Sequence, residues 1–272
     1  MKVEVNKDVF SDAVSFAVKL LPQRTTLPIL SGVLVVAGDN SVTISSFDYE
    51  VSAKTRVEAS VETEGKVLVS GRLLAEIAQR LPDDTVSLEL VGISMSVKSG
   101  SAKFTLATMP IEEYPNLPEI EGISGSLPGD EFASAVSQVA TAASRDDVTP
   151  VITGVLLDVT STAVTMMATD RYRVAAKEVA WKADGVTDEG LQALIPARTL
   201  AEIGKTFSHA GELTITINVG GERELVAFSS AQRTVTTLLI KGSFPPVQKL
   251  FPTSTPDYAV VNTNDLIEAT RR

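Results

Sequence analysis

Two pairs of adjacent carboxylates, Asp146-Asp147 and Glu112-Glu113, and one imidazole, His209, are the residues best suited to acid–base chemistry in this 272-residue chain. A carboxylate dyad works only when both groups face one reacting bond with different proton affinities. Neighbours along a chain often point apart, and both pairs fall in predicted loops, so neither reads as a dyad. His209 lies in TFSHAGE, between a helical pattern and a glycine, and reads as an exposed loop residue. As the single histidine, it allows one centre for a Ser-His-Asp triad and excludes a His-rich metal site. With no cysteine there is no disulfide, thiolate or Cys-ligated zinc. These residues predict no catalytic group, no metal and no cofactor. They point to a binding module rather than an enzyme.

Binding needs a surface, and the formal net charge of -10 argues at first against nucleic acid. A net charge sums the whole surface, however, and leaves the placement of the charges open. The 44% of hydrophobic residues suffices for real cores, and the length suits about two domains. No apolar run approaches the roughly 18 residues of a membrane span, and the start MKVEVNKDVF lacks a signal-peptide core. The expectation is a cytoplasmic protein with no membrane contact.

The elements that must position any site repeat along the chain. SGVLVVAGDNSVTISSFDYEVSAKTRVE (31–58) aligns with TGVLLDVTSTAVTMMATDRYRVAAKEVA (153–180), pairing Gly32 with Gly154 and Asp48 with Asp170 at an offset of 122. Val51 meets Val174 only after a one-residue shift. SGRLLAEIAQRL (70–81) matches PARTLAEIGKTF (196–207) at 126, and Tyr114-Pro115 matches Phe244-Pro245 at 130. Small loop insertions produce such a drift. Alternating runs such as SVTISSF, AVTMMAT, TVSLEL and ELTITINV predict strands. Helical stripes run through Phe10, Ala13, Val14, Ala17 and Leu21, and through Phe132, Ala135, Val136, Val139 and Ala143. The fold class expected is α+β, a repeated domain with two helices packed on antiparallel sheet.

Two features remain. The opening helices show polar faces of small neutral residues, with Arg72, Arg80, Arg198 and Lys205 on the inner helices. Such faces can sit near phosphates without reading bases, although spacing alone favours an ordinary solvated face. Aromatics are too few for a single-strand stacking platform. At the end, NTNDLIEATRR places Leu266 and Ala269 at an offset of 134 from Phe132 and Ala135. It reads as the opening helix of a third copy, with Asn262 to Asp265 as capping candidates and Asp265 with Glu268 as a capping box.

The stretches QRTTLPILSGVL, SGRLLAEIAQRLP, FTLATMPIEEYPNLP, ATDRYRVA and IKGSFPPVQKLFP together resemble the bacterial DNA sliding clamp, the β subunit of DNA polymerase III holoenzyme. SFDYEVSA and ATDRYRVA have an actinobacterial character. The resemblance covers the whole chain. It implies clamp domains at 1–122 and 123–256 and the start of a third at 257–272. It also implies a head-to-tail homodimer when full length, with helices lining a ring around double-stranded DNA and no sequence preference.

Carried over residue by residue, Arg24, Arg72, Arg145 and Arg198 are the DNA-binding candidates, with Asp146 and Asp147 opposing a close phosphate contact at Arg145. The partners implied are the polymerase III alpha subunit, the clamp loader and other proteins bearing short clamp-binding motifs. The partner-peptide wall falls on Ile152, Thr169, Arg171, Tyr172, Arg173, Val174, Pro245, Lys249 and Leu250. Its apolar members suit Leu or Phe anchors, and Thr169 and Arg173 suit backbone or polar groups. Phe104 and Leu106 on KFTLAT fall at the ring-closing contact. The 272 residues are expected to stop early in the third domain and not to close the usual ring. A two-domain module that binds partner peptides without encircling DNA is the alternative. The terminal helix is expected to fray or to lean on a neighbour.

Overall fold

The computed structural model describes residues 1–272 except 22–24, 26, 185–189, 220–222, 253, 255 and 272. The first set of elements is β1 (Lys2–Asn6), α1 (Lys7–Lys19), β2 (Gly32–Gly38), β3 (Ser41–Phe47), β4 (Val51–Glu58), β5 (Ser60–Thr63), β6 (Gly65–Ser70), α2 (Gly71–Ala78), β7 (Thr85–Val91), β8 (Ser94–Ser99) and β9 (Ala102–Met109). The second set repeats that order as β10 (Ile123–Pro128), α3 (Gly129–Val139), β11 (Gly154–Val159), β12 (Ala163–Thr169), β13 (Val174–Ala180), β14 (Lys182–Asp184), β15 (Leu191–Pro196), α4 (Ala197–Phe207), β16 (Glu212–Asn218), β17 (Leu225–Ser230) and β18 (Arg233–Leu238). A helix α5 (Thr263–Arg271) follows. The runs SVTISSF and AVTMMAT are β3 and β12 residue for residue.

The helices form where capping and stripe agree. Asn6 Oδ1 accepts the N–H groups of Asp8 and Val9 at 3.0 and 3.2 Å, which satisfies free donors of the first turn of α1. That helix buries Phe10, Ala13, Val14 and Ala17, and α3 buries Phe132, Ala135, Val136 and Val139. Full burial of a side chain the size of Phe contributes about 1.5–3 kcal/mol. Leu21 and Ala143 lie past the helix ends. The repeated glycines mark close packing. A Cβ on Gly32 would come 2.8 Å from Leu68 Cδ1, and one on Gly154 would come 2.8 Å from Leu194 Cδ1.

Strand pairing corrects one detail of the repeat. Phe47 faces Ser52 across β3–β4, and Thr169 faces Val174 across β12–β13. The offset of 122 therefore passes through both hairpins unbroken, without the one-residue shift that Val51 and Val174 implied. Val51 corresponds to Arg173, and Ser52 to Val174. Matching letters misled because register is set by backbone pairing and turn length, not by a single shared valine.

The two sets join edge to edge. β4 pairs antiparallel with β18, from Thr55 opposite Arg233 to Val51 opposite Thr237. This pairing makes one fourteen-stranded sheet, while β13, β12, β11 and β15 form a separate four-stranded sheet. On the helical side of the joint, Phe16 meets Phe207 edge-on with ring centroids 6.3 Å apart. The Arg233 guanidinium lies 5.2 Å from the Phe16 ring centre and pairs with Asp12. Lys19 Nζ donates to Thr206 Oγ1 at 3.0 Å. Phe16 and Ala53 thereby belong to the core of the second set. Since α1 packs on α2 and α3 on α4, the four helices form one layer in the order α2, α1, α4, α3.

The last helix departs from expectation. Asn262 Oδ1 accepts from Asn264 and Asp265 N–H at 2.9 and 3.4 Å, so Asn262 is the cap. Asp265 and Glu268 lie inside the helix rather than forming its capping box. No described residue of α5 is buried. It is formed rather than frayed and buries nothing on the other described residues, with its cap and the Thr270 hydroxyl, donating to Leu266 O and Ile267 O at 3.0 Å, as its own support.

Candidate partner-binding cleft and helical face

The β12–β13 turn is built by one aspartate. Asp170 Oδ1 accepts the N–H groups of Tyr172 and Arg173, both at 3.1 Å, an Asx turn that folds the loop back on itself. Arg173 Nε donates to Asp170 Oδ2 at 2.9 Å. Partial desolvation would raise the Asp170 carboxyl, but those N–H groups and the guanidinium outweigh it and hold the carboxyl below its usual value. Arg171 carries a φ of 80°, a left-handed conformation that side chains other than glycine seldom adopt. Thr169 locks the loop from below, donating to Arg173 O at 2.9 Å and accepting from Arg171 N–H at 3.2 Å. Arg171 Nη2 reaches across to donate to Thr149 Oγ1.

Between this turn and the loop after α3 lies a cleft of about 620 Å³. Of the residues expected in a peptide wall, Ile152, Arg171, Tyr172 and Arg173 line it. Ile152 is buried, whereas Tyr172 is 97% exposed, a phenol ring offered almost whole to solvent. Thr169 is buried beneath the turn with its hydroxyl already committed. Val174 lies to one side, packed on an apolar cluster of Leu156, Met167, Leu194 and Val247. Pro245 is half-buried, and Lys249 and Leu250 sit exposed on the single turn Val247–Leu250.

Asp170, Thr149, Asp146 and Val148 also shape this cleft, and sequence reasoning gave none of them a role there. The Asp48–Asp170 match in the repeat was the available signal for the first. No sequence signal pairs Thr149 with Arg171.

A second cleft of about 650 Å³ opens on the helical layer, and Arg145, Arg198 and Lys205 line it with Ser137, Thr141 and Asp147. Arg145 and Arg198 are thus brought together, and Lys205 joins them with its ammonium 2.7 Å from Glu202 Oε1. Arg72 is 88% exposed at the start of α2, with Nε 3.2 Å from Glu76 Oε1. Arg24 lies outside the described residues.

The carboxylates of Asp146 and Asp147 diverge. Asp146 lines the turn-side cleft and caps Val148 N–H at 3.1 Å, while Asp147 lines the helix-side cleft. Glu112 and Glu113 are exposed on a one-turn segment, and His209 is exposed in the turn after α4.

Among the edges without a partner strand in the described residues, two lie at places that the repeat matches to β18 and β4. β9 pairs with β8 from Ala102 to Ala107, but with β6 only at Thr108 and Met109. β13 ends the four-stranded sheet. On β9, Leu106 is buried in the core of the first set and Phe104 packs half-buried against it. Their side chains anchor the strand, and its backbone forms the free edge.

An architecture of repeated α+β units, joined through strand edges beneath a shared helical layer, defines a DNA-clamp protein. Residues 1–118 match the DNA polymerase III beta subunit, N-terminal domain, and residues 126–246 match its central domain. Along its full length the chain is 44% identical to the Beta sliding clamp of Streptomyces coelicolor and 46% identical to that of Micrococcus luteus, spanning 72% and 87% of those proteins. The crystal structure of the DNA polymerase sliding clamp from Bacillus subtilis superposes with a TM-score of 0.91 at 28% identity, over all of this chain and 73% of that one. The chain belongs to the DNA polymerase III beta subunit family, the bacterial beta sliding clamps, with close relatives among the actinobacteria.

Proposed function

We propose that this chain acts as a non-catalytic processivity module, with its helical layer facing double-stranded DNA and the β12–β13 cleft receiving short peptides of replication partners. The observation that carries this reading is the β4–β18 joint. It shows clamp units adding strand edge to strand edge, with all four helices on one side. By the repeat, the open edge at 102–106 corresponds to 233–237, and the open edge at 173–177 to 51–55. Both ends of the arc are therefore shaped to continue it, which supports a homodimeric ring when the protein is full length.

Domain limits of 1–122 and 123–256, with a third unit beginning at 257, fit this scheme. Arg72, Arg145 and Arg198 supply phosphate attraction on the helical face, and Arg24 joins them by resemblance. Binding is proposed to be without sequence preference, with these cations meeting the phosphate backbone rather than base edges. The partners proposed are the polymerase III alpha subunit, the clamp loader and related motif-bearing proteins, in the cytoplasm at the nucleoid.

The test is binding to two short duplexes of unrelated sequence over a range of salt. Equal affinities are expected, with the log–log salt slope falling by about 0.9 for each phosphate-contacting arginine removed, Arg198→Ala first. A strong preference for one duplex, or affinity indifferent to salt, contradicts the reading.

A further inference from the structure

The two clefts share one wall. Ala143, Ser144 and Arg145 line both the turn-side cleft and the helix-side cleft. Beyond them the loop splits, with Asp146 on the turn side and Asp147 on the helix side. The loop is short and internally braced. Ser144 N–H donates to Ile152 O at 2.9 Å, and Asp146 N–H donates to Ser144 Oγ at 3.1 Å.

Three of the other cations around the clefts are engaged, while Arg198, exposed and without an ion pair to a described residue, lines only the helix-side cleft. Arg171 is turned to Thr149, Arg173 to Asp170 and Lys205 to Glu202. Arg145 is exposed and enters no ion pair with a described residue. A free guanidinium therefore stands on the ridge between a cleft suited to peptide and a face suited to phosphate.

We propose that Arg145 is a shared anion contact, held either by a duplex phosphate on the helical face or by a carboxylate of a partner peptide in the turn-side cleft, so that acidic peptide and DNA bind in negative linkage. This rests on the reading of the two surfaces given above. Carboxylate and phosphate both engage the guanidinium fork through paired hydrogen bonds, and one fork serves one of them at a time. Linkage is reciprocal, so each ligand weakens the other by the same factor.

The experiment uses the 272-residue chain, a fluorescein-labelled 20-base-pair duplex and two acetylated hexapeptides. Both peptides carry Leu and Phe anchors; one has a single Asp and the other Asn in its place. Duplex affinity is read by anisotropy at low salt, with and without saturating peptide. The Asp peptide is expected to weaken duplex binding about fivefold, and the duplex to weaken the peptide equally. The Asn peptide should bind more weakly and leave duplex binding unchanged. Arg145→Ala should weaken each ligand and abolish the coupling between them, and Arg145→Lys should restore part of it. Independent binding of the two ligands overturns the inference alone, as does coupling that survives Arg145→Ala or appears equally with the Asn peptide. Failure of both ligands to bind overturns the functional reading beneath it as well.

Discussion

The turns at Phe47–Ser52 and Thr169–Val174 share a backbone and differ in what fills the space beneath them. In each, an aspartate accepts the N–H groups two and three residues on, and the residue after it adopts a left-handed φ, 75° at Tyr49 and 80° at Arg171. Under the first turn Phe47 is buried with Leu68 and Tyr114. Phe47 N–H donates to Tyr114 Oη at 2.8 Å, and the phenol donates on to Gly32 O at 3.3 Å. Under the second, Thr169 stands where Phe47 does, and Phe244 aligns with Tyr114. No phenol reaches up to the turn, and a cleft opens beside it. Both copies keep an apolar satellite core, around Leu68 in the first and Leu194 in the second, but in the first an aromatic plug seals the turn and in the second a cleft opens beside it. The exchange of an aromatic plug for a small hydroxyl is the difference that matters, not the loop.

That contrast breaks most readily at the plug. Phe47→Ala should cost about 3–5 kcal/mol of stability, the range for emptying a buried Phe site. Thr169→Ala at the matching position should cost about 1–2 kcal/mol, mainly for the lost hydrogen bonds. Urea unfolding of the two variants measures both, and similar costs would mean that the two floors are not different in kind.

A smaller effect sharpens the comparison. Tyr114→Phe leaves Phe47 N–H buried without its acceptor and should cost about 1–3 kcal/mol. Burial, against the opposing hydrogen bond from the Phe47 backbone, pushes the Tyr114 phenol from 10.0 up to about 12. Because the folded value lies above the unfolded one, the unfolded chain releases this proton first as pH rises. The stabilisation is complete below pH 10.0 and drains away as pH rises to about 12. The loss is on the order of 2–3 kcal/mol. Tyr114→Phe should remove this alkaline component, whereas Phe244→Tyr should introduce nothing comparable, since Thr169 already bonds its own loop. Urea midpoints across that pH range decide it.

Much of this organisation is legible in the letters. The repeat, the strand runs at 41–47 and 163–169 and the stripes from Phe10 and Phe132 all follow from periods of 2 and 3.6 that burial enforces. Other features escape for physical reasons. Phe16 lies off the stripe of α1 and serves the neighbouring unit's core, so its own helix carries no periodic sign of it. The partner of β4 is a strand of the next unit, and alternation does not say which edge a strand will meet. The carry-over brought Ile152 and Arg171 to Arg173 to one cleft, but it missed the commitment of Thr169 inward and the sharing of Arg145 between two surfaces. Those depend on side-chain direction, which neither spacing nor composition encodes.

The central claim is that the second turn, not the first, receives partner peptides. The direct measurement is a backbone amide NMR titration of the chain with the acidic Leu/Phe-anchored hexapeptide. The account predicts saturable shift changes at Ile152 and across Thr169–Val174, with Phe47–Ser52 unmoved. Equal perturbation of both turns, or changes confined to the first, would contradict it.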